Sequence, residues 1–167
     1  MKRWRGEICD ESVTPHPRPL SRKGRGESAR CVTPHPASRF ALEWAELLGG
    51  LHALIARADA NAAAVDAWVS ETAWIEHLAA DPATRSNTSV CLKFAAGAVG
   101  GLDEEAQRAL SKRMEALLEA EGAAYDVAAY RDAPPGIRIW CGATVETEDV
   151  VAVGPWLDWA FHEAVAR

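Results

Sequence analysis

The sequence has no hydrophobic run long enough to span a membrane, because Asp, Glu, Arg or His interrupts every apolar stretch within a few positions. The basic start, Met1-Lys2-Arg3-Trp4-Arg5, is not followed by the apolar segment that a secretory signal requires. There is no CxxC pair, which argues against a structural zinc site. We therefore expect a cytoplasmic protein without a metal site, whose four cysteines are reduced: Cys9, Cys31, Cys91 and Cys141.

Common catalytic signatures are also absent: the chain has no Gly-rich phosphate loop, no GxSxG elbow and no HExxH pair. Its histidines have no nucleophile close in sequence, so we interpret His52, His77 and His162 as solvated or partly packed side chains. The formal net charge is -6, and residues 39–167 alone carry -10. An acidic body argues against a nucleic-acid-binding domain, which would present a basic face.

The first 38 residues differ in composition from the rest of the chain. They contain five of the nine prolines and eight Lys or Arg, and the pentapeptide Val13-Thr14-Pro15-His16-Pro17 returns at positions 32–36. We predict a disordered leader over residues 1–38, which resembles a translated bacterial intergenic repeat. The functional alternative is a basic arm that binds RNA or an acidic partner.

Residues 39–167 have the alternating helical and extended patterns of one folded domain. We expect a helix ended by Gly49-Gly50, and a later helix that begins at Asp103 with acidic residues in its first turn. The predicted order is α-α-β-α-β-β-α, with helices over 40–48, 51–69, 103–121 and 147–164 and strands over 86–94, 125–130 and 137–141. Thr147 is expected to cap the last helix, and Pro155 to kink or delay it. The fold class is α/β in the broad sense, a two-layer α+β domain whose three-stranded, mainly antiparallel sheet is covered by helices.

Two arginines bracket a rigid turn between the last two predicted strands. Arg131 precedes and Arg138 follows the Pro134-Pro135-Gly136 turn, which would hold two guanidinium groups at a fixed separation. Such a pair suits a ligand with two anionic groups. The alternative is that Arg131 pairs with Asp132 or Asp126, and that Arg138 lies on a solvated strand face.

Four segments resemble one family of enzymes. Residues Asp81–Lys93 and Tyr130–Glu146, with shorter matches over 49–62 and 155–161, resemble the C-terminal part of phosphoserine aminotransferases of the branch found in alphaproteobacteria. The resemblance extends from about Phe40 to the C-terminus. It implies the C-terminal small domain of a fold-type I aminotransferase.

The resemblance implies a cytoplasmic homodimer that uses pyridoxal phosphate to convert 3-phosphohydroxypyruvate and glutamate to phosphoserine and 2-oxoglutarate in serine biosynthesis. By position, Arg138 resembles the residue that binds the substrate carboxylate. Arg131 resembles a contact to the substrate phosphate, with Tyr130 beside it where other branches place a histidine. The resemblance assigns no catalytic residue to this chain.

The cofactor of that family requires a Schiff-base lysine, an Asp partner for the pyridine nitrogen and a stacking aromatic ring. Those groups belong to the large domain, and none of the four lysines matches the family motif: Lys2, Lys23, Lys93 and Lys112. We expect this chain to bind no pyridoxal phosphate and to be inactive alone, as a truncated or frameshifted gene would produce.

Two alternatives remain open. The chain could be a non-catalytic module that binds phosphoserine-like anions, or a small subunit that complements a separately encoded cofactor domain. A detached small domain should expose an apolar patch and self-associate. The candidate tryptophans for that patch are Trp44, Trp68, Trp140, Trp156 and Trp159.

Overall fold

The computed structural model describes residues 36–166, with side chains from Arg39 onward. The predictions for Cys9, Cys31, His16, His35 and residues 1–35 of the leader lie outside the described residues. No helix within residues 36–166 combines the length and the apolar composition needed to cross a membrane.

The described chain forms four α-helices, one short 3-10 helix and three strands. In chain order they are α1 (Pro36–Leu47), α2 (Gly50–Glu71), β1 (Ile75–His77), the 3-10 helix (Pro82–Thr84), β2 (Ser89–Phe94), α3 (Glu104–Ala120), β3 (Gly136–Trp140) and α4 (Thr147–Val165). The strands form one antiparallel sheet in the order β1-β2-β3. The expected architecture of helices with a small antiparallel sheet is confirmed.

The order of elements differs from the prediction in two places. Residues 125–130 do not form a strand, and only Ala128 makes a bridge, to Ile137. Asp126 has a left-handed backbone with φ 52, which interrupts extended structure at that point. The third strand is instead β1, which was not predicted, so the observed order is α-α-β-β-α-β-α.

Helix α3 begins as its sequence indicates. The side chain of Asp103 accepts a hydrogen bond from the backbone N–H of Ala106 at 2.8 Å, which satisfies one of the free donors at the helix start. Along the buried face, Leu110, Met114 and Leu118 are completely shielded from solvent. This face packs against α4 and the sheet.

The prediction for the start of α4 was wrong in its detail. Glu146 occupies the N-cap position, and Thr147 is the first helical residue. The hydroxyl of Thr147 donates to Oδ1 of Asn61 at 2.6 Å instead of capping the helix. The helix continues without a break through Pro155, so that proline does not delay its start.

Alternation along the strands separates an apolar face of the sheet from a polar one. Val90, Leu92 and Phe94 of β2, with Ile137 and Ile139 of β3, belong to the hydrophobic core that α2, α3 and α4 also form. The intervening residues point to the other face because side chains alternate along a strand. That polar face carries Ser89, Cys91, Lys93 and Arg138, and Cys91 lies directly opposite Arg138.

The five tryptophans do not form one exposed patch. Trp44, Trp140 and Trp156 are exposed, whereas Trp68 and Trp159 are partly buried against the core. A larger group of exposed apolar side chains lies on α1 and the first half of α2: Phe40, Leu42, Leu47, Leu51 and Ile55.

Candidate functional site

Arg138 is more deeply buried than Lys93, the other cation on the polar face of the sheet. Its side chain is only 12% exposed, and Nη2 lies 2.6 Å from Oδ2 of Asp126 and 3.3 Å from the carbonyl oxygen of the same residue. Its Nε is buried and has no hydrogen-bond partner among the described residues. The interpretation of Arg138 as a solvated strand residue is therefore wrong, and this guanidinium retains a free donor.

Tyr130 lies directly against Arg138. The guanidinium carbon of Arg138 is 4.3 Å from the centroid of the Tyr130 ring, which is a cation–π contact. The tyrosine itself is 59% exposed, so it covers the arginine from the solvent side. These two predicted site residues are thus brought together by the fold.

A cavity of about 270 Å³ adjoins Arg138 but is not lined by Tyr130. Its charged lining consists of Arg138, Asp126 and Asp149, and most of the remaining lining is apolar or aromatic. An arginine at the edge of an apolar cavity is suited to hold the anionic end of a small molecule.

Arg131 is placed differently from the other two predicted residues. Its side chain is 92% exposed, and Nε lies 3.2 Å from the carboxylate of the adjacent Asp132. This is one of the pairings that the sequence left open. Arg131 lines a second cavity, of about 290 Å³, which does not include Arg138.

The second cavity contains two cations that the sequence analysis missed. Arg108 and Lys112, one turn apart on α3, line it together with Arg131. Nη1 of Arg108 also donates to the backbone carbonyl of Arg131 at 3.0 Å. Charged residues spaced four apart on a helix usually form a solvated face, so no feature of the sequence indicates this convergence.

The loop that follows β3 is fixed by two residues of α2. Asn61 is fully buried, and its Nδ2 donates to the carbonyl oxygens of Cys141, Gly142 and Val145 at 3.0 to 3.3 Å. Arg57 donates from Nε to the carbonyl of Ala143 at 2.9 Å. The strand that carries Arg138 is therefore anchored just beyond its end.

Arg57 also reaches the start of α4. Its Nη2 forms an ion pair with Glu146 at 2.7 Å, and this hydrogen bond lowers the pKa of the Glu146 carboxyl and raises that of the guanidinium. Both groups are near solvent, so the pair contributes little to stability on its own.

Two further titratable side chains lie inside the fold. Burial, followed by the neighbouring charge of Arg85, lowers the pKa of His77, although Nε2 lies 2.8 Å from Oδ1 of Asp66. Burial raises the pKa of the Cys141 thiol to about 11, which keeps it protonated and unreactive at neutral pH. Neither group adjoins Arg138 in the first cavity.

The side chains of the described residues determine whether this part of the chain can hold a metal ion or pyridoxal phosphate. Residues 36–166 contain no group of three or more His, Cys, Asp or Glu side chains that could hold a metal ion. Lys93 forms an ion pair with Glu76 at 3.0 Å, and Lys112 lines a cavity that has no aromatic side chain. These two lysines do not fit a pyridoxal phosphate site, which needs a free amine beside a stacking ring.

Two curated proteins are similar in sequence to this chain. Phosphoserine aminotransferase of Methanosarcina mazei is 46% identical over 120 residues, and that of Methanosarcina barkeri is 46% identical over 121 residues. Each match covers 72% of this chain. The chain spans about 30% of the length of these relatives. No protein-family model matches the chain.

A solved structure supports the same relationship at the level of the fold. Phosphoserine aminotransferase from Bacillus circulans subsp. alkalophilus superimposes with a TM-score of 0.57 at 19% identity. The superposition covers 72% of this chain and 30% of that protein. The fold is therefore that of a part of these larger proteins.

Proposed function

Since this chain is homologous to about 30% of the length of phosphoserine aminotransferases, we propose that residues 39–167 are the C-terminal, substrate-binding small domain of such an enzyme. In the complete cytoplasmic homodimer, the reaction would convert 3-phosphohydroxypyruvate and glutamate to phosphoserine and 2-oxoglutarate in serine biosynthesis. This chain would contribute binding groups for the substrate. It would not catalyse transamination alone.

The observation that supports this role most directly is the setting of Arg138. A guanidinium that is nearly buried, backed by a tyrosine ring and left with an unpartnered Nε–H has one more hydrogen bond to donate to an anionic oxygen. Its Nη2 already donates to a carboxylate oxygen of Asp126, which supports a carboxylate as the ligand group. We assign Arg138 to the ligand carboxylate, Tyr130 to its support and Arg131 to the phosphate.

Calorimetric titration with L-phosphoserine tests this assignment. The wild-type chain should release binding heat, and Arg138→Gln should bind L-phosphoserine about tenfold or more weakly, because the substitution removes the charge and the forked donors that hold the carboxylate. Arg85→Gln is a matched control, since Arg85 lies in other cavities and should leave binding unchanged. Equal heats for the wild type and Arg138→Gln would reject the assignment.

The absence of catalysis is a separate part of the proposal. Pyridoxal phosphate would supply the electron sink for transamination, but neither Lys93 nor Lys112 is placed to hold it. We expect no cofactor adduct that borohydride traps on either lysine and that responds to glutamate. An adduct that borohydride traps in the absence of glutamate, but no longer traps when the protein is first incubated with glutamate, would show that the chain carries out the first half of transamination by itself.

A second candidate function is supported by the exposed apolar face of α1. Phe40, Leu42 and Leu47 are 61% to 88% exposed. Single exposed apolar side chains are common on proteins, whereas several on one helix indicate an interaction surface. A separately encoded cofactor domain could cover this face and complete an active enzyme. Co-expression with the missing portion of a relative, followed by an assay of transaminase activity, separates this candidate from the inactive domain.

A further inference from the structure

Three cations from distant parts of the sequence converge on one cavity beside the edge of the sheet. Arg108 and Lys112 of α3 face it from one side, and Arg131 of the loop before β3 faces it from another. The remaining lining comes from Ser111 and from small or apolar residues of the loop and β3, and no acidic residue lines the cavity. Its volume of about 290 Å³ is enough for a phosphate group and its water shell.

This convergence is unusual in a domain with a large excess of acidic residues. Four other cations of the described chain each form an ion pair with an acidic side chain: Arg39, Arg57, Lys93 and Arg138. Among the described residues, Arg108 and Lys112 form no such pair, and neither do Arg85 and Arg113, which do not line this cavity. Arg108 and Lys112 also stand four residues apart on one helix, a spacing at which like charges repel. An anion bound between them would relieve that repulsion.

The loop that carries Arg131 is tied to the same helix. The hydrogen bond from Arg108 Nη1 to the Arg131 carbonyl fixes the backbone of Arg131 beside α3 while leaving other Arg108 donors free. The pair between Arg131 and Asp132 is almost fully exposed and joins adjacent residues, so it competes weakly with a dianion. Asp132 does not line the cavity.

We propose that Arg108, Lys112 and Arg131 form a binding site for the phosphate group of a small phosphorylated metabolite. The inference deepens the proposed function and rests on it for the nature of the ligand, because it gives the phosphate contact assigned to Arg131 two partners on α3. A dianion engages all three cations at once, whereas a carboxylate carries half the charge.

Titration of the chain with inorganic phosphate tests this inference independently of Arg138, because inorganic phosphate has no carboxylate. Backbone amide shifts of residues 128–131 should move saturably, and Arg108→Gln with Lys112→Gln should weaken phosphate binding by about tenfold or more, the loss expected from one charge-assisted hydrogen bond. Arg131→Gln should weaken it to a similar extent from the other side of the cavity. Arg113→Gln is the control, because Arg113 is exposed on the same helix but does not line the cavity.

A failure of this inference can be distinguished from a failure of the proposed function. Arg138→Gln should retain phosphate binding while it loses binding of L-phosphoserine through the carboxylate. Far-ultraviolet circular dichroism establishes that each variant is folded. The inference is overturned if phosphate moves no resonance near the cavity, or if Arg113→Gln weakens binding as much as the double variant does. In the second case the effect would be one of overall charge.

Discussion

The carboxylate of Asp126 lies 2.6 Å from Nη2 of Arg138, so the arginine assigned to the ligand carboxylate is already paired with a carboxylate of its own chain. Asp126 is 84% exposed at its side chain and has a left-handed backbone, whereas Arg138 is nearly buried. A ligand carboxylate that approaches Nη2 must therefore compete with Asp126.

Asp126→Asn should raise the affinity for L-phosphoserine by about threefold to tenfold, because it removes the competing charge. Asparagine tolerates the left-handed conformation as well as aspartate does, so the loop should keep its shape. Calorimetric titration measures the change. Asp132→Asn is the control that removes one charge beside Arg131, and a gain of affinity there but not at position 126 would contradict the competition.

Asn61→Ala should lower the free energy of unfolding by about 3 kcal/mol, because the buried bonds to the Cys141 and Gly142 carbonyls and the part-buried bonds to Val145 and Thr147 would be lost. Urea denaturation followed by circular dichroism measures it. Asn87→Ala removes a single bond to Asp59 and should cost less than about 1 kcal/mol. Equal losses for the two variants would mean that the loop after β3 does not depend on Asn61.

Gly136→Ala should lower the free energy of unfolding by more than about 3 kcal/mol. A Cβ atom at this position would lie 2.0 Å from the backbone oxygen of Leu92, and backbone in the middle of a sheet cannot move aside. Gly97→Ala is the control, because a Cβ there meets nothing within 4 Å. Thermal unfolding of both variants should show a large drop in Tm for the first and little change for the second.

Stability should fall as the pH decreases from about 7.5 to about 5.5, in part because of His77. The unfolded chain protonates this histidine near its ordinary pKa of 6.5, whereas burial and Arg85 lower its pKa in the folded chain. Protonation therefore favours the unfolded state below about pH 6.5, until the folded pKa is reached. Nearby Asp66 reduces the shift without reversing it.

Urea denaturation at several pH values between these limits checks the effect. His77→Gln should flatten the pH profile, and His52→Gln, at an exposed position on α2, should leave it as in the wild type. A profile for His77→Gln that is as steep as that of the wild type would assign the pH dependence to other groups.

The sequence predicted those elements whose signals are local. Asp103, followed by two glutamates and an apolar stripe, marks the start and the buried face of α3, and both are present. The strand predicted over 137–141 is present as Gly136–Trp140, directly after the Pro134-Pro135 turn. By contrast, β1 has only three residues, which is too short for any periodicity to be visible.

The remaining differences depend on contacts between distant residues. Residues 125–130 have the composition of a strand, but the left-handed Asp126 limits them to one bridge. Asn61 lies in an alanine-rich helix, and nothing in that pattern indicates that it binds a loop about 80 residues away. Arg108 and Lys112 likewise meet Arg131 only because α3 packs beside the loop before β3.

The predicted site residues show the same contrast between what the sequence indicates and what contacts between distant residues decide. The residues and the family resemblance both indicate Arg138, the resemblance alone indicates Tyr130, and the fold places these two residues in contact. The turn between the arginines was expected to aim both at one ligand. In the structure Arg131 lines a different cavity from Arg138, because its backbone is tied to α3 through Arg108.

The central claim is that Arg138 receives the carboxylate of a phosphorylated amino acid. The most direct measurement follows the side-chain Nε–Hε resonance of Arg138 in ¹H–¹⁵N spectra, assigned by its loss in Arg138→Gln, during titration with L-phosphoserine and, separately, with inorganic phosphate. The account predicts a saturable shift with L-phosphoserine and none with phosphate, because Nε is the donor left free beside Asp126. A resonance that stays fixed in L-phosphoserine, or that moves equally with phosphate, would contradict it.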